Sequence, residues 1–150
     1  MQIWVDADAC PKEIKQVLYR AAERVGVQVT FVANQHLLVP RSRWISALQV
    51  ESGFDKADAE IVRRVSPGDL VITSDIALAA QILNLGGKAL GARGEWFTEE
   101  DIAARLTMRD FLDNLRGSGI MSGGPPAMNQ QDRQSFSNHL DRFLRNYQSC

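Results

Sequence analysis

The sequence predicts an α/β fold, a three-layer αβα sandwich with a mostly parallel central sheet. Three observations predict it. Short apolar strands alternate with amphipathic helices through short connections, the rhythm of parallel strands joined by crossover helices. One strand, LVIT at Leu70 to Thr73, is continuously apolar, as suits a strand covered on both sides. The length, 150 residues, is that of a single αβα domain able to bury a real core.

Taken in order, Ile3 to Val5 is a short first strand. The helix that follows, Pro11 to Val25, carries Ile14, Val17, Leu18, Ala21, Ala22 and Val25 on one face. Pro11 suits its first turn, where a missing N–H costs nothing, and Gly26 suits its stop. QVTFVAN supplies a second strand, Val27 to Ala33, and WISALQV a third, Ile45 to Val50, after the polar HLLVPRSR stretch. A helix from Lys56 to Val65 ends at SPGD. LVIT is the fourth strand, DIALAAQILNL a helix closed by Gly86 and Gly87, and KALGA the fifth strand.

The remainder departs from this rhythm. Thr98 is placed to cap a helix through TEEDIAARL, followed by MRDFLDNLR. Residues 117–129, GSGIMSGGPPAMN, form a Gly/Pro-rich loop. A last helix, 130–148, aligns Phe136, Leu140, Phe143, Leu144 and Tyr147. It needs an apolar surface, either the core of its own chain, over which it forms a lid, or a second copy in a homodimer.

Bulk properties narrow the function classes. The net charge is -1, so no whole-molecule field draws in nucleic acid or membrane, although local patches can. No secretory signal or apolar stretch of membrane-spanning length appears, and the two cysteines, Cys10 and Cys150, form no CxxC site. A reducing cytoplasm is the simplest location. Cys10 has two readings: a thiolate steadied by helix N–H groups, or a small half-buried thiol whose pKa the adjacent acids raise. The second is favoured.

The candidate chemistry lies in the acids. Open parallel sheets bind ligands beyond the carboxyl ends of their strands. Asp6 and Asp8 follow strand one, Asn34 follows strand two, Asp55 and Asp58 follow strand three, and Ser74 and Asp75 follow strand four. Acids converging there raise one another's pKa unless a cation neutralises them. Oxygen donors without a histidine or cysteine cluster select Mg2+ or Mn2+. Two such ions about 4 Å apart would serve phosphodiester hydrolysis. The plainer reading is that Asp6, Asp8 and Asp75 cap helices. Asp58 is preferred to Asp55 as a ligand because ADAEI sets it beside packing residues, with Glu60 in reserve. Arginine matches phosphate, and Arg93, beside Gly91 and Gly94, follows strand five toward the same edge. Trp44 and Trp96 are candidates for stacking a base. His36 is a candidate loop residue over the site.

The segments VDADACP (5–11), FVAN (31–34), GFDKADAEIV (53–62), GDLVITSDIALAAQIL (68–83) and ARGEWFT (92–98), with LTMRDFLDNLR and GGPPAMNQQDRQSF, resemble the bacterial YaiI/YqxD family over nearly the whole chain. That resemblance implies a Rossmann-like fold similar to the PIN-like nucleases, with an acidic metal-binding pocket. Under it Asp6, Asp58 and Asp75 match the catalytic acids and, with Asp8, the metal ligands. No residue clearly supplies a fourth nuclease acid; Glu95, Glu99 and Glu100 are alternatives. The resemblance also gives importance to GGPP and Arg133, as part of a loop folding toward the site. The implied partner is RNA or another nucleic acid. Two rivals stand beside this reading. DAD after strand one resembles the start of a haloacid-dehalogenase-like phosphatase, with Asp6 as nucleophile. A non-catalytic RNA- or protein-binding module would retain the pocket without a full metal set.

Overall fold

The computed structural model describes residues 1–53, 56–104 and 128–148, without the side chains of 147 and 148. Asp55, the helix read from MRDFLDNLR, most of the 117–129 loop including GGPP, the Tyr147 side chain and Cys150 lie outside the described residues.

Five parallel strands form one sheet: β1 (Gln2–Asp6), β2 (Gln28–Ala33), β3 (Ile45–Gln49), β4 (Leu70–Ile72) and β5 (Lys88–Leu90), in the order β3-β2-β1-β4-β5. The helices are α1 (Lys12–Val25), α2 (Lys56–Arg64), α3 (Ile76–Asn84) and α4 (Gln130–Gln148), and residues 99–104 are also helical. This is a three-layer α/β sandwich of the Rossmann-like and PIN-like kind.

The two-residue period of the strands sorts the layers. Ile3 and Val5 of β1, Val29 and Phe31 of β2, and Leu70 and Ile72 of β4 face one side, against Ile14 and Leu18 of α1 and Phe136, Leu140 and Leu144 of α4. Trp4, Val32 and Val71, the intervening residues, face the other side, against Ala57 and Ile61 of α2 and Leu78 and Ile82 of α3. The strand β3 lies at one edge and exposes most of its residues, which explains its weak apolar signal. The last helix finds its apolar surface within its own chain: Phe136 and Leu140 are fully buried beside α1.

Local chemistry refines the element ends. Gly26 closes α1 in the left-handed conformation, φ 75°, as its position after Val25 anticipates. Pro11 stands at the cap rather than in the first turn: its backbone is extended, and its carbonyl accepts from Ile14 and Lys15 N–H. No side chain caps α1, so neither Asp6 nor Asp8 has the capping role of the plainer reading. Thr98 does cap its helical turn, its Oγ1 accepting from Asp101 N–H at 3.1 Å. Gly94, with φ 91°, allows the loop after β5 to approach α4, because a Cβ there would stand 2.4 Å from Ser135 Oγ and 2.8 Å from Phe136 N.

The amino edge of the sheet is organised by a residue the sequence reading did not single out. Asp69, 5% exposed, accepts from Gln2 N–H at 3.0 Å, from the Trp4 indole Nε1–H at 3.1 Å and from Ser66 N–H at 2.9 Å. One carboxylate thus joins β1, the turn before β4 and the indole of a core tryptophan. Replacing Asp69 by Ala leaves these donors without their acceptor and is expected to cost about 3 kcal/mol of stability. Urea denaturation measures this, with Asp69→Asn, which retains one acceptor oxygen, expected to lose less. An unchanged midpoint in Asp69→Ala would show the carboxylate to be dispensable.

Candidate functional site

Because these five strands are parallel, their carboxyl ends meet at one edge. The strand order reverses between β1 and β4, the position at which such sheets open a crevice. The pairing of Val5 with Ile72 brings the next residues, Asp6 and Thr73, together. Asp6 is 8% exposed, and Thr73 Oγ1–H donates to its Oδ2 at 3.2 Å. Thr73 Oγ1 in turn accepts from Asp75 N–H at 3.0 Å. A single hydroxyl therefore links the first-strand acid to the loop carrying the second. Thr73 was visible in the sequence only as the polar end of an apolar strand.

Asp8 leaves the strand through the short 3₁₀ turn Ala7–Ala9 and reaches toward β2, where its Oδ2 accepts from Asn34 N–H at 2.8 Å. The Asn34 Oδ1 is buried and has no hydrogen-bond partner among the described residues. A cleft of about 340 Å³ opens there, lined by Asp8, Asn34, Lys15 and His36 among others, so His36 does stand beside one of the acids.

Asp75 caps α3, its Oδ1 accepting from Ala77 and Leu78 N–H at 2.9 and 3.3 Å. The plainer reading therefore describes one part of Asp75. Ser74, between it and Thr73, is exposed at the same edge. Asp58 lies half-buried in the first turn of α2, the helix entered from the carboxyl end of β3. Glu60 is engaged by Arg63 and Arg64, an arrangement of the α2 surface that lowers its pKa.

The arginines sort differently. Arg93 pairs with Asp132 at 2.6 Å, and Asp132 also accepts from Asn129 N–H at the start of α4. Its charge thus ties the loop after β5 to the last helix. Arg133 is exposed and lines a separate cleft between α1 and α4, with Arg20, Arg24 and Asp141. Trp44 is covered by the Arg43 guanidinium, 4.9 Å above its ring, which occupies one face a base would stack on.

Electrostatically, Asp6 is the centre. Burial raises its pKa above the ordinary 3.8, and the charges of Asp75 and Asp8 raise it further, while the Thr73 hydroxyl opposes them. Among the described residues, no three Asp, Glu, His or Cys side chains stand close enough to one another to hold a metal ion as a group. Asp6, Asp8, Asp58 and Asp75 therefore share an edge without forming one closed ligand set.

The raised pKa carries a stability consequence. The native state binds the Asp6 proton more tightly than the unfolded chain, so this residue's contribution falls as pH rises from 3.8 through the higher native value. Asp6→Asn is expected to be more stable than the parent at pH 7 and to lose that advantage below pH 3.8, as thermal melts across this range will measure. An Asn variant less stable at neutral pH would contradict the cost of burying the Asp6 charge beside Asp75 and Asp8. Cys10 gives a second test: burial pushes its thiol up to about 12, with the nearby Lys15 opposing and Asp6 reinforcing the shift. In a Cys150→Ser background, iodoacetamide at pH 8 is expected to modify Cys10 at least about tenfold more slowly than a free thiol. A rate equal to that of a free thiol would revive the activated-cysteine reading.

Comparison with known proteins agrees with the residue pattern. A family model described as "Uncharacterized BCR, YaiI/YqxD family" matches residues 4–146. The UPF0178 protein of Thioalkalivibrio sulfidiphilus is 65% identical over 144 residues, covering 96% of this chain and 98% of its own. Those of Aromatoleum aromaticum and Colwellia psychrerythraea are 62% and 56% identical, over 96% of this chain and 96% and 95% of theirs. No solved structure matches the chain significantly. With relatives aligned along almost their whole length and a family model spanning both the acid edge and the last helix, the chain belongs to the YaiI/YqxD family of bacterial proteins.

Proposed function

We propose that the protein is a divalent-metal-dependent phosphodiester hydrolase of the bacterial cytoplasm acting on nucleic acid, with RNA the favoured polymer. The observation that carries this reading is the position of Asp6, a buried carboxylate at the β1/β4 reversal in the field of Asp75 and Asp8. A carboxylate placed so is destabilised unless a cation accompanies it.

The donor chemistry fits Mg2+ or Mn2+. Asp6, Asp8 and Asp75 each use one oxygen in a hydrogen bond described above and keep a second, and the buried Asn34 Oδ1 offers a further neutral donor. Mg2+ needs only one or two carboxylates when water and substrate phosphate complete its shell, so the lack of a three-acid group among the described residues is compatible with a site completed by substrate. A bound cation supplies neutralisation of the phosphate charge and a water activated for attack on phosphorus. The protein's own part is to hold Asp6 through Thr73, to keep Asp75 fixed by its cap, and to present Asn34 and Ser74 to the substrate. Asp58, in the first turn of α2, is the further acid assigned to this edge.

The second reading is a non-catalytic binding module. It is favoured by the local duties of two acids, Asp75 as the α3 cap and Asp8 as acceptor for Asn34 N–H.

Calorimetric titration of demetallated protein with Mn2+ and Mg2+, with and without a non-hydrolysable RNA analogue, separates the two. The hydrolase reading expects cation binding strengthened by the analogue, and a loss of at least about tenfold in affinity in Asp6→Asn and Asp75→Asn. Asparagine also serves as a helix cap, so Asp75→Asn retains the fold, which circular dichroism checks. Hydrolysis of single-stranded RNA should fall in parallel. Absence of cation binding under both conditions leaves the binding-module reading.

A further inference from the structure

A cavity larger than the cleft at the acid edge, about 630 Å³ against about 340 Å³, opens beside β5, within the range of small-molecule sites. The loop after β5 builds one wall: Trp96 bridges antiparallel to Leu90, and Phe97 N–H donates to the Ala89 carbonyl at 3.1 Å. The last helix builds the other, with Phe143 against Trp96, ring centroids 5.8 Å apart. Trp96 and Phe143 are only half-buried, so part of each ring is open to the cavity that they line.

The rim is cationic. Lys88 and Arg142 line the cavity, both are exposed, and neither has a carboxylate partner among the described residues. No described acid lines this space. His139 also lines it and is oriented by its Nδ1–H, which donates to the Gly94 carbonyl and leaves Nε2 as the ring nitrogen for a ligand. An aromatic floor with an ammonium and a guanidinium at its edge matches a planar ring carrying an anionic group.

We propose that this cavity binds a nucleoside phosphate, its base against Trp96 and Phe143 and its phosphate toward Lys88 and Arg142. The ligand is either a free mononucleotide or one nucleotide of a single strand; the recognition chemistry is the same. This site uses none of the acids assigned to hydrolysis and stands independently of that reading.

Calorimetry of the full chain with AMP, adenosine and a four-residue oligoadenylate tests it. AMP is expected to bind, and adenosine to bind more weakly. The double variant Lys88→Ala/Arg142→Ala, both positions exposed and safe for the fold, should bring AMP down to the affinity of adenosine and leave adenosine unchanged. Trp96→Leu should weaken every ligand about tenfold or more, the scale of one lost base stack. Similar affinity for AMP and the oligonucleotide identifies a free nucleotide as the ligand; a tenfold preference for the oligonucleotide identifies a strand. Asp6→Asn should bind AMP as the parent does. The proposal is overturned if none of the three binds at millimolar concentration, if the double variant leaves AMP affinity unchanged, or if Asp6→Asn abolishes AMP binding.

Discussion

The pairing of β1 with β4 is the constraint from which the rest of the molecule follows. It is the point at which the sheet reverses its order, and polar side chains secure it at both ends. At the amino edge the Asp69 carboxylate gathers donors from Gln2, Trp4 and Ser66. At the carboxyl edge the Thr73 hydroxyl joins Asp6 to the backbone of Asp75. A parallel pair cannot be closed by a hairpin, so its register depends on packing and on contacts of this kind. A slip of one residue would set Trp4 and Val71 on opposite faces of the sheet and carry Asp6 away from Thr73.

The two ends spend a buried carboxylate in opposite ways. Asp69 is surrounded by N–H groups that satisfy it, so it contributes to the fold. Asp6 has one hydroxyl donor and two neighbouring negative charges, and burial adds to its cost. Carboxylates perturbed in this way cluster at functional sites, where a bound cation or substrate offsets their cost at neutral pH. A similar contrast separates the basic residues. Arg93 pairs with Asp132 and secures the last helix, whereas Lys88 and Arg142 lie exposed at the rim of a cavity.

Much of the architecture was legible because its signals are local. The apolar spacing from Ile14 to Val25, Gly26 after it, and the continuous LVIT run each depend on the chain's immediate neighbours. Boundaries shifted by a residue or two where backbone geometry intervened, as when Pro11 took the cap of α1. The candidate site was partly legible: acids following parallel strands must arrive at one edge, and Asp6, Asp8 and Asp75 do. Their individual duties were not. Whether a carboxylate caps its own helix, accepts from a neighbouring strand or meets a hydroxyl depends on side-chain direction across several elements.

The sequence by itself determined the order of strands and helices, the two-sided burial of the central strands and the common edge of the acids, since periodicity and strand polarity are properties of the chain. Only the tertiary structure decided that Asp69 would join β1 to the turn before β4, that Thr73 would sit between Asp6 and Asp75, and that α4 would cover the chain's own core. The cavity of Trp96 and Phe143 was decided there too. These contacts join residues far apart in the chain, and their energy exists only once packing has brought both partners out of water into one place.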